Sequence, residues 1–310
     1  MTIDVRRLQV LRQVAIRGTI AAAAEALAFT PSAVSQQLTA LERETGLDLL
    51  ERSGRGVRLT DAGRVLVHHA DSVLLELDRA EAALQATLHD VAGTLRVGAF
   101  ASVTASILAP AVANLSRAHP DLIITIHDVD PNSALRDLRL GEVDVVVAHE
   151  YDHMLQAPEP AVERRLLFIE PMFAVTPPGR LRPGVAVDLV ELAGDCFAAA
   201  SATSDCGKAV REACRAVGFE PDVRFNFVEF PVLLDLVRAG LAVSLLPALA
   251  LAGAGAGAGD GYEVHGLSRG GFSRRVFVAC RRGSSLRPSV VALLAEVKAS
   301  SQASPNITAA

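Results

Sequence analysis

The chain lacks several features that would place it in other classes of protein. No stretch approaches the roughly 18 uninterrupted apolar residues that a membrane helix needs, and the first ten residues have no apolar run of the kind found in secretory signals. Cysteines are few, and none has paired metal-ligand spacing: Cys196, Cys206, Cys214 and Cys280. We therefore expect a cytoplasmic protein with reduced thiols, no membrane contact, no metal and no cofactor.

Motifs of catalysis are also missing or incomplete. No glycine-rich phosphate loop or dinucleotide fingerprint occurs. Residues 266–270 match the G-x-S-x-G pattern of hydrolases, but a strand pattern follows where a nucleophile elbow requires a helix, which favours a hinge serine. His149 and His153 flank Asp152 at a spacing that suits a metal only on a helix, and Pro158 with the strand before them indicates a loop. We predict that the protein is not an enzyme.

Positive charge is scarce overall and unevenly distributed. The net charge is −5 over 310 residues, yet residues 1–60 hold eight arginines against six acidic residues, whereas residues 61–90 hold two against six. The length allows two or three domains. A modest basic excess confined to the N-terminal segment predicts that one such domain binds nucleic acid weakly and that paired domains supply usable affinity.

The segment from Thr30 to Gly46 predicts a helix whose outer face suits a nucleic acid. Thr30 can cap the first turn, Pro31 occupies the first helical position, and Gly46 can close the helix. Helical spacing turns one row of residues inward: Val34, Leu38 and Leu41. It turns a polar row outward: Ser32, Gln36, Thr39 and Arg43. Amides and hydroxyls of this size can reach base edges in the major groove, although a solvated face is the alternative interpretation.

The neighbouring segments favour the nucleic-acid interpretation. Thr19 to Ala28 predicts a second short helix, and Val5 to Arg17 predicts a first helix between Asp4 and Gly18. Two short helices separated by two residues are typical of a helix-turn-helix. Residues 47–60 predict two strands around a turn at 53–56, a wing carrying Arg52, Arg55 and Arg58, which could contact phosphates or serve solubility.

The segments TPSAVSQQLTALERETG and LLERSGRGVRLTDAG resemble the N-terminal domain of LysR-type transcriptional regulators over residues 3 to about 65. The resemblance implies groove contacts by Pro31, Ser32, Ser35 and Gln36 and backbone contacts by Arg52 and Arg55. Many members carry Arg in place of Gln36, so their base preference does not transfer. The predicted residues that contact double-stranded DNA are Thr30, Pro31, Ser32, Ser35, Gln36, Thr39, Arg52 and Arg55.

Residues 61–91 predict a linker helix with a dimerisation seam. Apolar or small residues recur at alternating steps of four and three, and four of them define the predicted contact: Leu66, Val73, Leu77 and Leu84. A helix of about 30 residues spans roughly 45 Å, too long to be covered by a small winged domain. We predict a homodimer arm, with packing on its own chain as the alternative; the family resemblance extends this to a homotetramer.

From residue 92 onward, short apolar strands alternate with helices, and the order of elements repeats once. This predicts a parallel sheet with helices on both faces and two lobes around a cleft, lobe I about 92–162 and 268–302 and lobe II about 163–267. Chain crossings are expected near 161–165 and 267–274, a flexible loop at 252–261, and a disordered tail at 303–310. The segment resembles the effector domain of the same family, itself similar to periplasmic solute-binding proteins.

The overall prediction is an α/β protein with an N-terminal winged helix-turn-helix (residues 1–60), a linker helix and a two-lobed effector domain. Loops after matching strands should hold a small-molecule effector: Ala99, Ser102, Thr104, Asp128, His149, Ser201, Thr203 and Glu229. The cleft loops contain four acidic residues and no Lys or Arg, so we expect a neutral or cationic ligand.

Two alternatives remain open at this point. The peroxide-sensing branch of the family carries two reactive cysteines in this part of lobe II, and Cys206 and Cys214 could be their counterparts, with the Cys206 pKa lowered near a helix N-terminus. Eight helical residues separate their sulfurs by roughly 12 Å, which opposes a disulfide. The other alternative is a solute-binding or hydrolase-like α/β protein with an incidental helical domain.

Overall fold

A computed structural model describes residues 3–54, 56–88, 90–129, 131–157, 159, 161–252, 261–302 and 308–309. Within these ranges, no helix is long and apolar enough to cross a lipid bilayer. The fold consists of an N-terminal helical unit with a small hairpin, one long helix, and two α/β units joined by two long strands.

The N-terminal unit contains three helices, α1 (Val5–Arg17), α2 (Ile20–Ala26) and α3 (Pro31–Thr45). Asp4 and Thr30 cap α1 and α3 as predicted, and Thr19, predicted as the first residue of its helix, caps α2. Each of the three accepts a hydrogen bond from a backbone N–H of the first turn. Gly18 and Gly46 end α1 and α3 in the left-handed conformation that glycine adopts without strain. The predicted inward residues of α3, Val34, Leu38 and Leu41, are buried in the core of this unit. The three predicted helices are therefore present, although α2 is shorter than the predicted segment Thr19 to Ala28.

The predicted wing and linker helix are also present. Strands β1 (Leu50–Ser53) and β2 (Gly56–Leu59) pair antiparallel, with Ser53 opposite Gly56. Helix α4 (Asp61–Leu88) follows at once, and the Thr60 hydroxyl accepts a hydrogen bond from Gly63 N at 3.0 Å. The described helix ends at Leu88, and Val91, to which the predicted segment extended, is not helical.

The first α/β unit contains the strands β3 (Gly93–Ala99), β4 (Leu122–Asp128) and β5 (Val145–Tyr151). Its helices are α5 (Ala101–Val103), continued through a π-helical turn (Thr104–Leu108) into α6 (Ala109–Ala118), and then α7 (Pro131–Leu140). Strand β3 lies between β4 and β5 and is parallel to both. The carboxyl ends of the three strands consequently meet at one edge, with Ala99 opposite Asp128.

The second unit repeats this order. It contains β8 (Cys196–Ala199), α8 (Asp205–Ala216), β9 (Asp222–Asn226), α9 (Phe230–Arg238), β10 (Ser244–Pro247) and α10 (Ala248–Ala252). Strands β8 and β9 are parallel, and a single bridge joins Phe197 to Val243 beside β10. Short strands β7 (Val187–Asp188), β11 (Glu263–His265) and β12 (Leu267–Arg269) and a 3₁₀ turn (Leu189–Leu192) complete it.

Two long strands join the units, β6 (Val162–Thr176) and β13 (Ser273–Arg281). Both run antiparallel to their neighbours, so the sheet is mixed, where the sequence pattern predicted a parallel one. Strand β6 pairs with β13 as far as Pro171 and with β10 from Met172. The first crossing therefore lies near Pro171, later than the predicted 161–165, because β6 first completes the sheet of the first unit. The return begins at Ser273, within the predicted 267–274.

The C-terminal region departs from the predicted disordered tail (303–310) at a short strand, β14 (Thr308–Ala309). A 3₁₀ turn (Ser284–Leu286) precedes helix α11 (Pro288–Gln302), and β14 pairs antiparallel with β6 at Ile169 and Phe168. The exposed backbone of an edge strand accepts such an addition, which composition alone does not reveal. The remaining tail residues and most of the predicted 252–261 loop lie outside the described residues; Ala252 itself is helical.

Candidate nucleic-acid interface and ligand cleft

Helix α3 presents a row of uncommitted polar side chains. Ser32, Gln36 and Thr39 are exposed, as predicted, and none of their side chains hydrogen-bonds to another part of the chain that the structure describes. Arg43 continues the row, and its Nε lies 3.4 Å from the carbonyl oxygen of Thr39. Polar groups without an internal partner retain their full capacity to bind base edges.

Two other predicted contact residues, Thr30 and Ser35, form side-chain hydrogen bonds with the backbone of α3. The Thr30 hydroxyl accepts a hydrogen bond from Ala33 N at 3.1 Å, and the Ser35 hydroxyl donates to the carbonyl oxygen of Pro31 at 2.9 Å. Thr30 therefore fixes the first turn, and Ser35 retains only its acceptor capacity for another partner. Pro31 is exposed at the first helical position.

The wing separates two arginines that looked equivalent in sequence. Arg58 binds Glu51 on the adjacent strand, with Nε at 2.8 Å from the carboxylate. Arg52 is exposed and makes no ion pair with the described part of the chain. The predicted contact Arg55 lies at the turn and outside the described residues. Of the two wing arginines that the structure describes, Arg52 is consequently the one whose charge is available to a phosphate.

Glu42 and Arg7, which the sequence analysis did not single out, hold this face in place. One carboxylate oxygen of Glu42 accepts hydrogen bonds from the backbone N–H groups of Leu49 and Leu50, at 3.0 and 3.3 Å, and so ties the wing to α3. Arg7 of α1 donates to Gln37 at 3.2 Å and pairs with Glu44. Nothing in the sequence pattern distinguishes these charged residues from solvated ones on the same helices.

The predicted seam of α4 is divided between two environments. Leu66 packs against the core of the N-terminal unit, whereas Val73, Leu77 and Leu84 are exposed, Leu84 at 68% of its maximum. Another side of the helix contacts its own chain through Asp78, which binds Arg281 at 2.8 Å. One side of the helix therefore packs on its own chain, as the alternative interpretation predicted, and an apolar stripe remains exposed on the described chain.

Four of the five predicted ligand residues of the first unit lie at or beyond the carboxyl ends of its strands. His149, predicted in a loop, lies within β5, two residues before its end at Tyr151, because the strand is longer than the apolar run suggested. Ala99 is buried, and its carbonyl oxygen accepts from Val129 N at 3.2 Å. Thr104 donates its hydroxyl proton to the carbonyl oxygen of Phe100, and Asp128 is exposed. Ser102 and His149 are buried. The parallel pairing of β4, β3 and β5 brings these positions to one edge of the sheet.

The second unit places its three predicted residues in the corresponding position after β8 and β9. The hydroxyl groups of Ser201 and Thr203 lie 3.0 Å apart, and both residues are exposed. Glu229 is exposed immediately before α9. The structure brings these residues to the strand ends of the second unit, as the repeat predicted.

A buried ion pair between the units was not predicted. Arg274 of β13 binds Glu170 of β6, with Nε 2.6 Å from the carboxylate, and its guanidinium also donates to the Ser102 hydroxyl at 3.0 Å. The same guanidinium lies 4.6 Å from the centre of the Phe100 ring. The predicted cleft loops themselves contain no Lys or Arg, but Arg274, which comes from the crossing strand β13, adds a cation to this region. Glu170 neutralises that cation.

Aromatic groups extend this junction. His149 packs edge-on against Phe100 at 4.7 Å and against Tyr151 at 5.5 Å, measured between ring centres. Burial lowers the pKa of His149 well below its usual value, and the charge of Arg274 acts in the same direction. Burial also raises the pKa of Tyr151 well above its usual range. Both groups are therefore neutral near pH 7.

The cysteines do not have the properties of a thiolate sensor. Burial raises the pKa of Cys206, contrary to the predicted lowering near a helix N-terminus, and raises that of Cys214 to about 12. All four cysteines are free thiols, and α8 is continuous from Asp205 to Ala216 between and around the two. Among the described residues, no group of three His, Cys, Asp or Glu side chains is placed to hold a metal ion.

Comparison with known proteins gave matches along most of the chain. Residues 5–64 match the model described as bacterial regulatory helix-turn-helix protein, lysR family, and residues 88–302 match the LysR substrate binding domain. ShiR of Corynebacterium glutamicum, an HTH-type transcriptional regulator, is 30% identical over 72% of this chain and 75% of its own. A full-length OxyR variant from Pseudomonas aeruginosa superposes with a TM-score of 0.68 at 22% identity over 96% of this chain and 98% of its own. Full-length CbnR complexed with target DNA gives 0.53 at 21% identity over 96% and 99%.

Proposed function

Because this chain belongs to the LysR family of transcriptional regulators, we propose that it binds a specific double-stranded DNA sequence through α3 and β1–β2. Helix α3 exposes a row of polar side chains, Ser32, Gln36 and Thr39, and Arg52 is exposed on the wing beside them. None of these four side chains forms a hydrogen bond or an ion pair with another described residue, and this supports the proposal most directly. Amide and hydroxyl groups read base edges, and a guanidinium binds phosphate oxygens. CbnR, which has the same fold, has been solved with its target DNA.

The two α/β units are proposed to form an effector-binding domain. In each unit, two predicted hydroxyl residues follow the first strand: Ser102 and Thr104 follow β3, and Ser201 and Thr203 follow β8. The cation that the structure adds to this region, Arg274, is neutralised by Glu170. A neutral or cationic small molecule therefore remains the expected ligand, because Asp128 and Glu229 are exposed near the strand ends.

Two copies are proposed to associate through α4. Val73, Leu77 and Leu84 form an uncovered apolar stripe with heptad spacing, and a second α4 is the partner that such a stripe fits. Pairing would place two winged units on one DNA duplex, where two modest affinities combine. The protein thus acts by binding DNA and ligand in the cytoplasm, without catalysis, as a homodimer or as a homotetramer of two such dimers.

Selection from a random double-stranded DNA library with the full-length chain tests this function. Successive rounds should enrich a sequence with two related half-sites, and a mobility shift should show specific binding at least about a thousandfold tighter than to unrelated DNA. Recovery of no preferred sequence would contradict the proposal. Calorimetry with matched neutral, cationic and carboxylate compounds then tests the ligand class, and tight binding of a dicarboxylate would overturn the charge argument.

A further inference from the structure

A cavity lies away from the proposed effector cleft, between α11 and the first residues of β6. It has a volume of about 720 Å³. Its walls are largely apolar, with Val278 and Cys280 of β13 on one side and Val290, Val291 and Leu294 of α11 on the other. Leu286 and Val291 are exposed at the rim, at 65% and 51% of their maxima. This volume is in the range of sites for small organic molecules.

The charges around this groove are mostly positive, although the chain as a whole carries −5. Arg165 and Lys298 line it, are exposed and form no ion pair with the described residues. Register places Arg165 opposite Val278 and Glu163 opposite Cys280, so both side chains share the face that α11 covers. The Glu163 carboxylate accepts a hydrogen bond from Gly283 N at 3.1 Å.

Arg164, which also borders the groove, is directed to the other face of the sheet. Its guanidinium lies 4.9 Å from the centre of the Phe277 ring and 3.7 Å from Glu150. The groove therefore combines an apolar wall with two available cations and one carboxylate that is already hydrogen-bonded. This pattern complements a molecule with an apolar body and one anionic group.

We propose that the groove is a second ligand site of this protein, and that it takes an organic monoanion with an apolar body, such as an arene carboxylate. The apolar part packs against Val278, Val291 and Leu294, and the carboxylate binds Arg165 and Lys298 at the rim. This site is separate from the cleft, and its existence does not depend on the ligand class assigned there.

The groove also adjoins the linker helix, so a ligand bound in the groove can affect the position of α4. Residues 281–287 connect the two: Leu286 lines the groove, while Arg281 binds Asp78 of α4 at 2.8 Å and Arg287 binds Gln85 at 3.1 Å. A ligand that packs against Leu286 restricts this segment. The second site therefore acts on the position of α4, and so on the spacing of paired DNA-binding units.

Binding of 2-naphthoate to the full-length chain tests the proposal. The chain contains no tryptophan, so naphthalene fluorescence reports binding without tryptophan background. We expect 2-naphthoate to bind at least about tenfold more tightly than naphthalene-2-carboxamide, which has the same apolar body and no charge. The Arg165→Glu/Lys298→Glu double variant should lose at least about tenfold in affinity for the carboxylate. Arg117→Glu/Arg224→Glu, exposed residues elsewhere with the same total charge change, should not.

Three results would overturn the site. They are equal affinity for carboxylate and carboxamide, equal effects of the two double variants, or no binding up to about 5 mM, the weakest affinity of interest. If the groove variant instead halves the mass measured by light scattering, the groove is an interface between copies, and the proposal fails. Binding of selected DNA by the groove variant without naphthoate shows that the proposed function stands in any of these cases.

Discussion

At the scale of single residues, Ala28 has a backbone conformation that its side chain disfavours. Its φ is +52°, the only positive value among the described residues other than glycine. The residue follows α2, and the next N–H, that of Phe29, returns to the carbonyl oxygen of Ala24 at 2.8 Å. This is the helix-ending arrangement in which glycine is preferred. The turn between α2 and α3 therefore keeps Ala28 in a left-handed conformation that its Cβ atom makes sterically unfavourable.

Ala28→Gly should consequently stabilise the protein, by about 0.5 to 1 kcal/mol. Urea unfolding of the full-length chain measures this. Ala26→Gly is the control, because Ala26 is exposed within α2 and the same substitution there should destabilise by a similar amount. Two changes of the same sign would show that backbone strain at Ala28 is not the cause.

His149 determines a pH dependence at the same scale. In the folded chain, burial is the main cause that lowers the pKa of His149 well below its usual value. On acidification, the imidazole is therefore protonated in the unfolded chain at a pH where it is still neutral in the folded chain. The stability that this provides is complete above the unfolded pKa of about 6.5 and is lost as the pH falls below it.

His149→Leu should remove this loss. Between about pH 7 and pH 5.5, the unfolding free energy of the wild type should fall by about 1 kcal/mol more than that of the variant, the effect of one excluded proton. The urea transition of the full-length chain, followed at both pH values, gives the comparison. Parallel losses in the two proteins would assign the acid sensitivity to other groups.

At the scale of elements, α3 and the wing divide the work of DNA recognition. Gln36 is exposed on the helix with no partner among the described residues, whereas Arg52 and Arg58 differ because Glu51 already pairs with Arg58. Base contacts give preference for a sequence, and phosphate contacts give affinity that depends on salt.

Gln36→Ala should therefore relax base preference at one position of each half-site, at a cost of about 1 to 3 kcal/mol. Arg52→Ala should weaken binding to all sequences and reduce the slope of log affinity against log salt by about 0.9 for each phosphate that Arg52 neutralises. Arg58→Ala is the control and should change the slope less. Mobility shifts over a range of salt concentrations measure these effects; an unaltered slope for Arg52→Ala would refute the phosphate assignment.

The linker helix α4 is the second element, and its proposed role in dimerisation can be tested separately from DNA recognition. Its seam residue Leu77 is exposed at 42%, because the described part of its own chain does not cover it fully. Leu77→Asp would place a charge between the apolar stripes of two paired helices, which is strongly unfavourable.

Light scattering of Leu77→Asp should show a decrease in mass, while the circular dichroism of the folded chain stays close to that of the wild type. Ser72→Asp adds the same charge at an exposed position off the seam and should leave the mass unchanged. An unchanged mass for Leu77→Asp would contradict dimerisation through α4.

At the scale of the whole molecule, β13 links the junction between the units to the linker helix. Arg274 near one end of the strand binds Glu170 and Ser102, and Arg281 at the other end binds Asp78 of α4. The N-terminal unit also touches the first α/β unit directly, since Gln13 donates to the carbonyl oxygen of Leu140 at 3.1 Å. The ligand region and the DNA-binding unit are thus joined by continuous contacts.

Asp78→Ala combined with Arg287→Ala should loosen the linker helix from the first unit. Two partly exposed polar contacts are worth about 1 kcal/mol together, so hydrogen exchange of the α4 amides should accelerate about fivefold. Glu76→Ala removes an ion pair within α4 itself, with Arg79, and should have a smaller effect. Equal exchange in the two proteins would show that these contacts do not hold the helix.

Local sequence rules were sufficient to predict most of the secondary structure and its order along the chain. Caps such as Thr30 and Gly46, the buried period of α3, the repeated order of strands and helices, and the exposed seam of α4 follow from backbone sterics and from the periodicity of apolar residues. The predicted DNA-binding face followed for the same reason, because an amphipathic helix exposes the residues opposite its core.

Which charged residues form ion pairs and hydrogen bonds could not be predicted from local rules and follows from the folded arrangement. The pairing of Arg274 with Glu170, 104 residues apart, of Glu42 with the wing, and of Arg281 with Asp78 depends on strands and helices that meet through packing. The same holds for the crossing at Pro171 and for the raised pKa of Cys206, which burial sets. Such contacts have no sequence period, since a side chain's partner and its access to water depend on the long-range arrangement of the elements that carry it.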